Sequence, residues 1–252
     1  MADFAGQREE RQFRWDVKAH PQPACVKELL GALQQVVGEP VQRVVGRIHR
    51  PDDLVHTAGQ FDGRLADPLD PALGGWDGVP FNAAWQKHFG GKQTVNLGIG
   101  GDRMENILWR LDHGALDGTS PKVIVLKIGV NNAPLVFANG APAATAAHGI
   151  KLCIENLRMR CPKSQIVLVK ILPAFDPTKE AGKAVVDINA CLDVLKLDQD
   201  PQVHILDLWK DFTNADGTLK TELYSDKHLH LGDAGYEAFA ARLKPVVDDL
   251  IN

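Results

Sequence analysis

The chain has 252 residues, 44% of them apolar and 24% charged, with a net charge of −4 from 28 basic and 32 acidic side chains. A chain of this length suits one large domain or two small ones, and one α/β domain of this size can bury a substantial core. It carries no basic field for a nucleic-acid backbone and no apolar run of about 18 residues that could span a membrane. The N-terminal MADFAGQREERQFRW has no apolar core of a secretory signal, so a cytoplasmic location is expected. The cysteines at 25, 153, 161 and 191 form no CxxC pair. Their spacing suggests neither a disulfide framework nor a zinc site. Cys153 and Cys191 fall among apolar helical residues and read as small buried thiols.

In chain order, residues 24–37 suit a helix and 41–45 a strand, so residues 1–40 read as an N-terminal helical extension. Residues 46–80 are rich in Gly, Pro and Asp and include LADPLDPALGGWDGVP, which reads as irregular. Residues 93–97 form a short strand. A helix over 103–113 follows, with Met104, Ile107, Leu108 and Leu111 on one face. Asp102 and Glu105 resemble a capping box at its start. The apolar, β-branched runs at 122–128 (KVIVLKI) and 165–172 (QIVLVKIL) suit strands buried on both faces. Helices are expected over Ala143–Arg160, 179–197 and 234–251, with a short strand over Val203–Leu206. This alternation predicts a single three-layer α/β/α domain with a doubly wound, flavodoxin-like parallel sheet. Right-handed crossovers bring the strand C-termini to one edge. The loops at 98–103, 129–135, 173–178 and 224–232 are therefore expected to be neighbours, at the edge where such folds bind ligands.

Three motifs at that edge carry chemistry. NLGIGGD (96–102) follows a strand and opens a helix, so backbone N–H groups can approach a ligand. It is not a dinucleotide fingerprint, since Arg103 stands where the third glycine would be. GVNN (129–132) places asparagine amides at a strand end, where they can donate into a cleft or merely form an Asx turn. SDKHLHLGDAGY (225–236) puts a carboxylate and histidines together before the last helix, as in the orienting half of a triad. His228 and His230 also form an HxH, but no third metal ligand is evident nearby.

With these motifs in this order, residues 81–250 resemble the SGNH (GDSL-type) hydrolases. They are most like the catalytic subunits of the platelet-activating factor acetylhydrolases and bacterial lysophospholipase- or acylhydrolase-like esterases. The likeness is carried by NLGIGGDRMENILWRL, PKVIVLKIGVNN and HLGDAGY. It implies that the Gly101 N–H and the Asn131 side chain hold an oxyanion, and that His230 is the base. The family's acid stands three residues before that histidine, where this chain has Lys227. Asp226, four before, is the acid if DKHLHL carries a one-residue insertion, and His228 is the other histidine within reach. The resemblance implies hydrolysis of a small ester, such as a short-chain acyl lipid or an acetylated sugar, with no cofactor and no metal. It also allows a homodimer.

The family's first motif, a strand followed by Gly-Asp-Ser, is missing. The chain's only serines are 120, 164 and 225. By spacing, the family's serine would fall within 69–76, where Asp70 is followed by Pro71, or at 46–48 if residues 41–45 are the first strand. Thr57 and Cys25 are the only hydroxyl or thiol side chains before residue 90, and neither shows a strand-and-turn context in sequence. Three accounts follow: a catalytically inactive member that binds or scaffolds, a hydrolase using another nucleophile or an activated water, or a stretch at 40–75 translated from a shifted frame. Lys127 and Lys170, late in apolar strands, must pair, neutralise or reach the cleft edge, with Asp207 a candidate partner for them.

Overall fold

The computed structural model describes residues 54–58, 83–90 and 94–252. The helix expected at 24–37 and the strand expected at 41–45 lie outside these. Among the described residues, five strands form one parallel sheet: β1 (Leu54–Ala58), β2 (Thr94–Asn96), β3 (Val123–Lys127), β4 (Gln165–Val169) and β5 (Val203–Leu206), in the order β2-β1-β3-β4-β5. This is the doubly wound arrangement expected from the alternation of strand and helix patterns.

Strand β1 corrects one expectation, because it lies inside the stretch that composition marks as irregular. Its sequence LVHTA is only five residues long, and two of those are polar, so it lacks the apolar run that betrays β3 and β4. Pairing supplies what the pattern lacks. Val55 is in register with Val95 on one side and Ile124 on the other, and Ala58 faces Lys127. Thr57 is thus a strand residue opposite Leu126. The residues that follow β1 in sequence are Gly59, Gln60 and Phe61. Neither 46–48 nor 69–76 directly follows a described strand.

The α-helices among the described residues are α1 (Ala83–Phe89), α2 (Met104–Asp112), α3 (Ala133–Asn139), α4 (Ala143–Arg160), α5 (Glu180–Val194), α6 (Trp209–Phe212) and α7 (Asp233–Ile251). Alternate residues of the central strands face opposite layers. Ile124, Leu126, Ile166 and Leu168 pack beneath α2, α4 and α5. Val123, Val125, Val167 and Val169 pack against α1 and α7 through Phe89, Phe239, Leu243 and Val247. Strands covered on both faces explain the uninterrupted apolar runs.

The thiols follow burial. Cys153 is fully buried in α4, whereas Cys191 in α5 is only partly buried, less than its apolar neighbours suggest. Lys170, just past β4, pairs with Asp193 at 2.8 Å and with Asp207 at 3.0 Å. Burial alone would lower its ammonium pKa, but the two carboxylates outweigh that and raise it.

One buried side chain secures the turn after β4. The Ile171 N–H donates to Asn189 Oδ1 at 3.1 Å, and Asn189 Nδ2 donates to the Ile171 carbonyl at 2.8 Å. Replacing Asn189 with leucine strands both backbone groups without water. Asn189→Leu is expected to cost about 2–4 kcal/mol, seen as a lower urea midpoint at an unchanged m-value.

Candidate active site

The four loops expected to be neighbours do converge, as two hydrogen-bonded pairs joined by a recess. In the first pair, the glycine-rich turn meets the GVNN segment. Gly101 has φ +78°, and a Cβ there would meet nothing within 4 Å, so its backbone faces open space. Asn131 Nδ2 donates to the Asp102 carbonyl at 2.9 Å, which holds the amide beside that glycine. Asn132 is buried. It accepts from the Met104 N–H at 3.3 Å and donates to Glu105 at 3.2 Å, tying the start of α2 to the end of β3. Gly129 lets the chain turn out of β3. Its φ is +114°, and a Cβ would lie 2.8 Å from Ile171 Cδ1.

Asp102 does not cap α2 as its spacing suggests. The capping residue is Arg103, whose N–H is accepted by the Asn106 side chain at 3.0 Å. The buried Asp102 carboxylate instead pairs with Arg110, which also donates to the Leu97 carbonyl at 2.6 Å. Burial raises the Asp102 carboxyl pKa, and Arg110 opposes this without cancelling it. Sequence reasoning passed over Arg110. Its only signal is a cation within the apolar stretch ILWRL.

In the second pair, residues 173–175 meet the loop before α7. Tyr224 Oη donates to the Pro173 carbonyl at 2.6 Å, and the Phe175 N–H donates to the His228 carbonyl at 2.8 Å. Tyr224 and Leu231 form an antiparallel bridge, and the Ser225 N–H donates to the His230 carbonyl at 2.8 Å. Between these anchors the chain wraps around Asp226. Its Oδ1 accepts from the N–H groups of His228, Leu229 and His230 at 3.0, 2.8 and 3.0 Å. Its Oδ2 lies 2.5 Å from His230 Nδ1. The extra residue, Lys227, takes a left-handed conformation with φ +66°, which lets Asp226 fold back onto the loop. His228 is the more exposed of the two: its Nδ1 lies 2.8 Å from the Asp226 backbone carbonyl and its Nε2 3.8 Å from Asp226 Oδ2.

Burial pushes the Asp226 carboxyl pKa up, but the three backbone donors and His230 outweigh it and hold it well below the usual carboxylate range. A carboxylate beside Nδ1 favours the tautomer that carries its proton on that nitrogen.

A shallow recess, open to solvent, joins the two pairs. Lys127, Ile128 and Val130 line it from the β3 end, Ile171 to Ala174 from the β4 end, and Leu229 from the Asp226 loop. Loss of hydration lowers the Lys127 ammonium pKa from the ordinary 10.5 to about 8. Two of the described serines have other engagements. Ser164 is buried and donates to the Pro121 carbonyl at 2.5 Å, and Ser225 donates to the His230 carbonyl at 3.3 Å. Burial, with a smaller effect from Glu105, pushes the Cys153 thiol up to about 12.

Comparison with known proteins matches residues 57–238 to the family model described as GDSL-like lipase/acylhydrolase. The chain belongs to the GDSL-like lipase/acylhydrolase family. The match begins at Thr57, inside β1. The platelet-activating factor acetylhydrolase IB subunit alpha1 of Homo sapiens is 31% identical over 155 residues, covering 60% of this chain and 62% of that protein. Subunit alpha2 of Rattus norvegicus is 29% identical over 167 residues, covering 66% and 69%. The alignment with the alpha1 subunits thus spans 62% of their length. Among solved structures, an acetyl xylan esterase superposes with a TM-score of 0.58 at 17% identity, covering 77% of this chain and 99% of the other. A GDSL-like lipase from Bacteroides thetaiotaomicron superposes with a TM-score of 0.57 at 16% identity, covering 79% and 88%. These two likenesses concern the fold.

Because the Asp226 carboxyl pKa is depressed in the folded chain, it contributes stability that is present above its ordinary value of 3.8 and lost as pH falls below it. Asp226→Ala is expected to flatten this acid limb of the stability curve. The same variant should also speed hydrogen exchange at the amides of His228, Leu229 and His230.

Proposed function

We propose that this chain hydrolyses small acyl esters, with His230 as general base, Asp226 as the acid that orients it, and the Gly101 N–H and Asn131 Nδ2 as oxyanion donors. The observation that carries this reading is the 2.5 Å contact between His230 Nδ1 and Asp226 Oδ2, at the edge where the family keeps its site. The substrate class is a short acyl chain on a lipid or an acetyl group on a sugar. The named acetylhydrolase subunits and acetyl xylan esterase act as the precedents for it.

No serine precedes Ser120, so the nucleophile in this proposal is water. His230 Nε2 removes a proton as the water oxygen attacks the carbonyl carbon. Negative charge then develops on the carbonyl oxygen, where the glycine N–H and the asparagine amide stabilise it. The tetrahedral intermediate collapses, and His230 returns the proton to the departing alkoxide. Asn131 already spends one amide hydrogen on Asp102, which fixes the direction of the other.

The missing serine also favours a second reading: an inactive member of the family that binds a ligand or partner. Turnover of p-nitrophenyl acetate separates the two. The proposed mechanism predicts slow hydrolysis that falls about 10²–10⁴-fold in His230→Ala and about 10²–10³-fold in Asn131→Ala. It also predicts no covalent labelling by a fluorophosphonate probe. Turnover that is absent, or unchanged in His230→Ala, would leave the inactive reading in its place.

A further inference from the structure

The turn between β2 and α2 is rich in glycine. Three of the four residues 98–101 are glycines, which give up the most backbone freedom when they are ordered. Gly101 sits in the left-handed region with open space where a Cβ would be. Within the turn, the Asp102 N–H donates to the Ile99 carbonyl at 3.2 Å. One side chain reaches both of its ends. Arg110 Nη1 donates to the Leu97 carbonyl at 2.6 Å, before the glycines, and Nη2 donates to the Asp102 carboxylate, after them. A guanidinium suits this span, because its planar fork aims its N–H groups along fixed directions.

We infer that Arg110 is a positioning residue for the oxyanion donors, bracing the turn from 97 to 102 so that the Gly101 N–H and, through Asp102, the Asn131 amide are fixed in place. The inference rests on the hydrolase reading above, which is what makes those two groups oxyanion donors.

Asp102 links the two donors. Arg110 holds its side chain, and its backbone carbonyl accepts Asn131 Nδ2 at 2.9 Å. Asp102 is buried, so salt screens its ion pair little. The start of α2 has separate ties: Asn106 accepts from the Arg103 N–H at 3.0 Å, and Asn132 accepts from the Met104 N–H at 3.3 Å. Those bonds begin at residue 103, whereas the bonds of Arg110 end at 102. Arg110 therefore acts on the turn and not on the helix it starts. A donor stabilises developing charge best when its direction is set before the charge appears.

Nitrogen-15 relaxation of the full chain reads the turn, and turnover of p-nitrophenyl acetate reads the site. The native Gly100 and Gly101 amides are expected at order parameters of about 0.85, falling below about 0.6 in Arg110→Met. In that variant kcat should fall about 10²-fold, as for a misplacement of the reacting geometry. KM should stay within about twofold, as for an interaction made only in the transition state. Arg110→Met leaves Asp102 as an unpaired buried charge, so Arg110→Met together with Asp102→Asn removes both charges and should give the same result if the single variant does not fold. Glycine amides as ordered in these variants as in the native chain overturn the inference, as does a raised KM with kcat unchanged. Loosened amides in a chain that turns nothing over support the brace while overturning the hydrolase reading. His230-dependent turnover that is unchanged in the Arg110 variants overturns the inference while leaving that reading intact.

Discussion

The Asp226 carboxylate organises the edge of this molecule. One oxygen collects three consecutive backbone N–H groups, and the other meets the His230 imidazole. A loop of polar and charged residues beside an open recess has little apolar surface to hold it. Charge-assisted hydrogen bonds to a single carboxylate give it a defined shape instead. The bond to Nδ1 also sets which imidazole nitrogen carries the proton, so the loop's stability and the histidine's chemistry depend on the same group.

The rest of the architecture brings partners to that loop. A parallel sheet places β1, β3 and β4 side by side with their C-termini on one edge. Gly129 turns the chain out of β3 so that Asn131 reaches the Asp102 carbonyl, while Arg110 holds the Asp102 side chain beneath. Asn189 fixes the backbone just after β4, two residues before Pro173, which accepts the Tyr224 hydroxyl. The polar groups of the edge are thus positioned by buried hydrogen bonds, and the aliphatic recess lies between them.

Much of this was legible from residue pattern. The runs VIVLK and QIVLV announce strands covered on both faces, and α4 and β5 begin and end where periodicity places them. The clustering of the four loops follows from parallel topology alone. The failures have physical causes. β1 is short and mixed in polarity, so only its pairing with β2 and β3 makes it a strand. Asp102 has the spacing of a capping residue, but a guanidinium eight positions later competes for its carboxylate. The contact between Asp226 and His230, the two residues the family likeness pointed to, goes with a left-handed turn at Lys227, which a lysine does not advertise.

The gap after β1 gives this family member its particular interest. Gly59, Gln60 and Phe61 follow β1 in sequence, and none of them is a serine. The contact between Asp226 and His230 is the one a base and its orienting acid would use, which is why a water nucleophile is the reading adopted. That account stands on the protonation state of one ring, and nitrogen-15 NMR of the imidazoles at neutral pH measures it directly. The account predicts that His230 is protonated on Nδ1, with a far-downfield, slowly exchanging proton that disappears in Asp226→Ala. An Nε2-protonated ring, or a spectrum unchanged by that substitution, would contradict it.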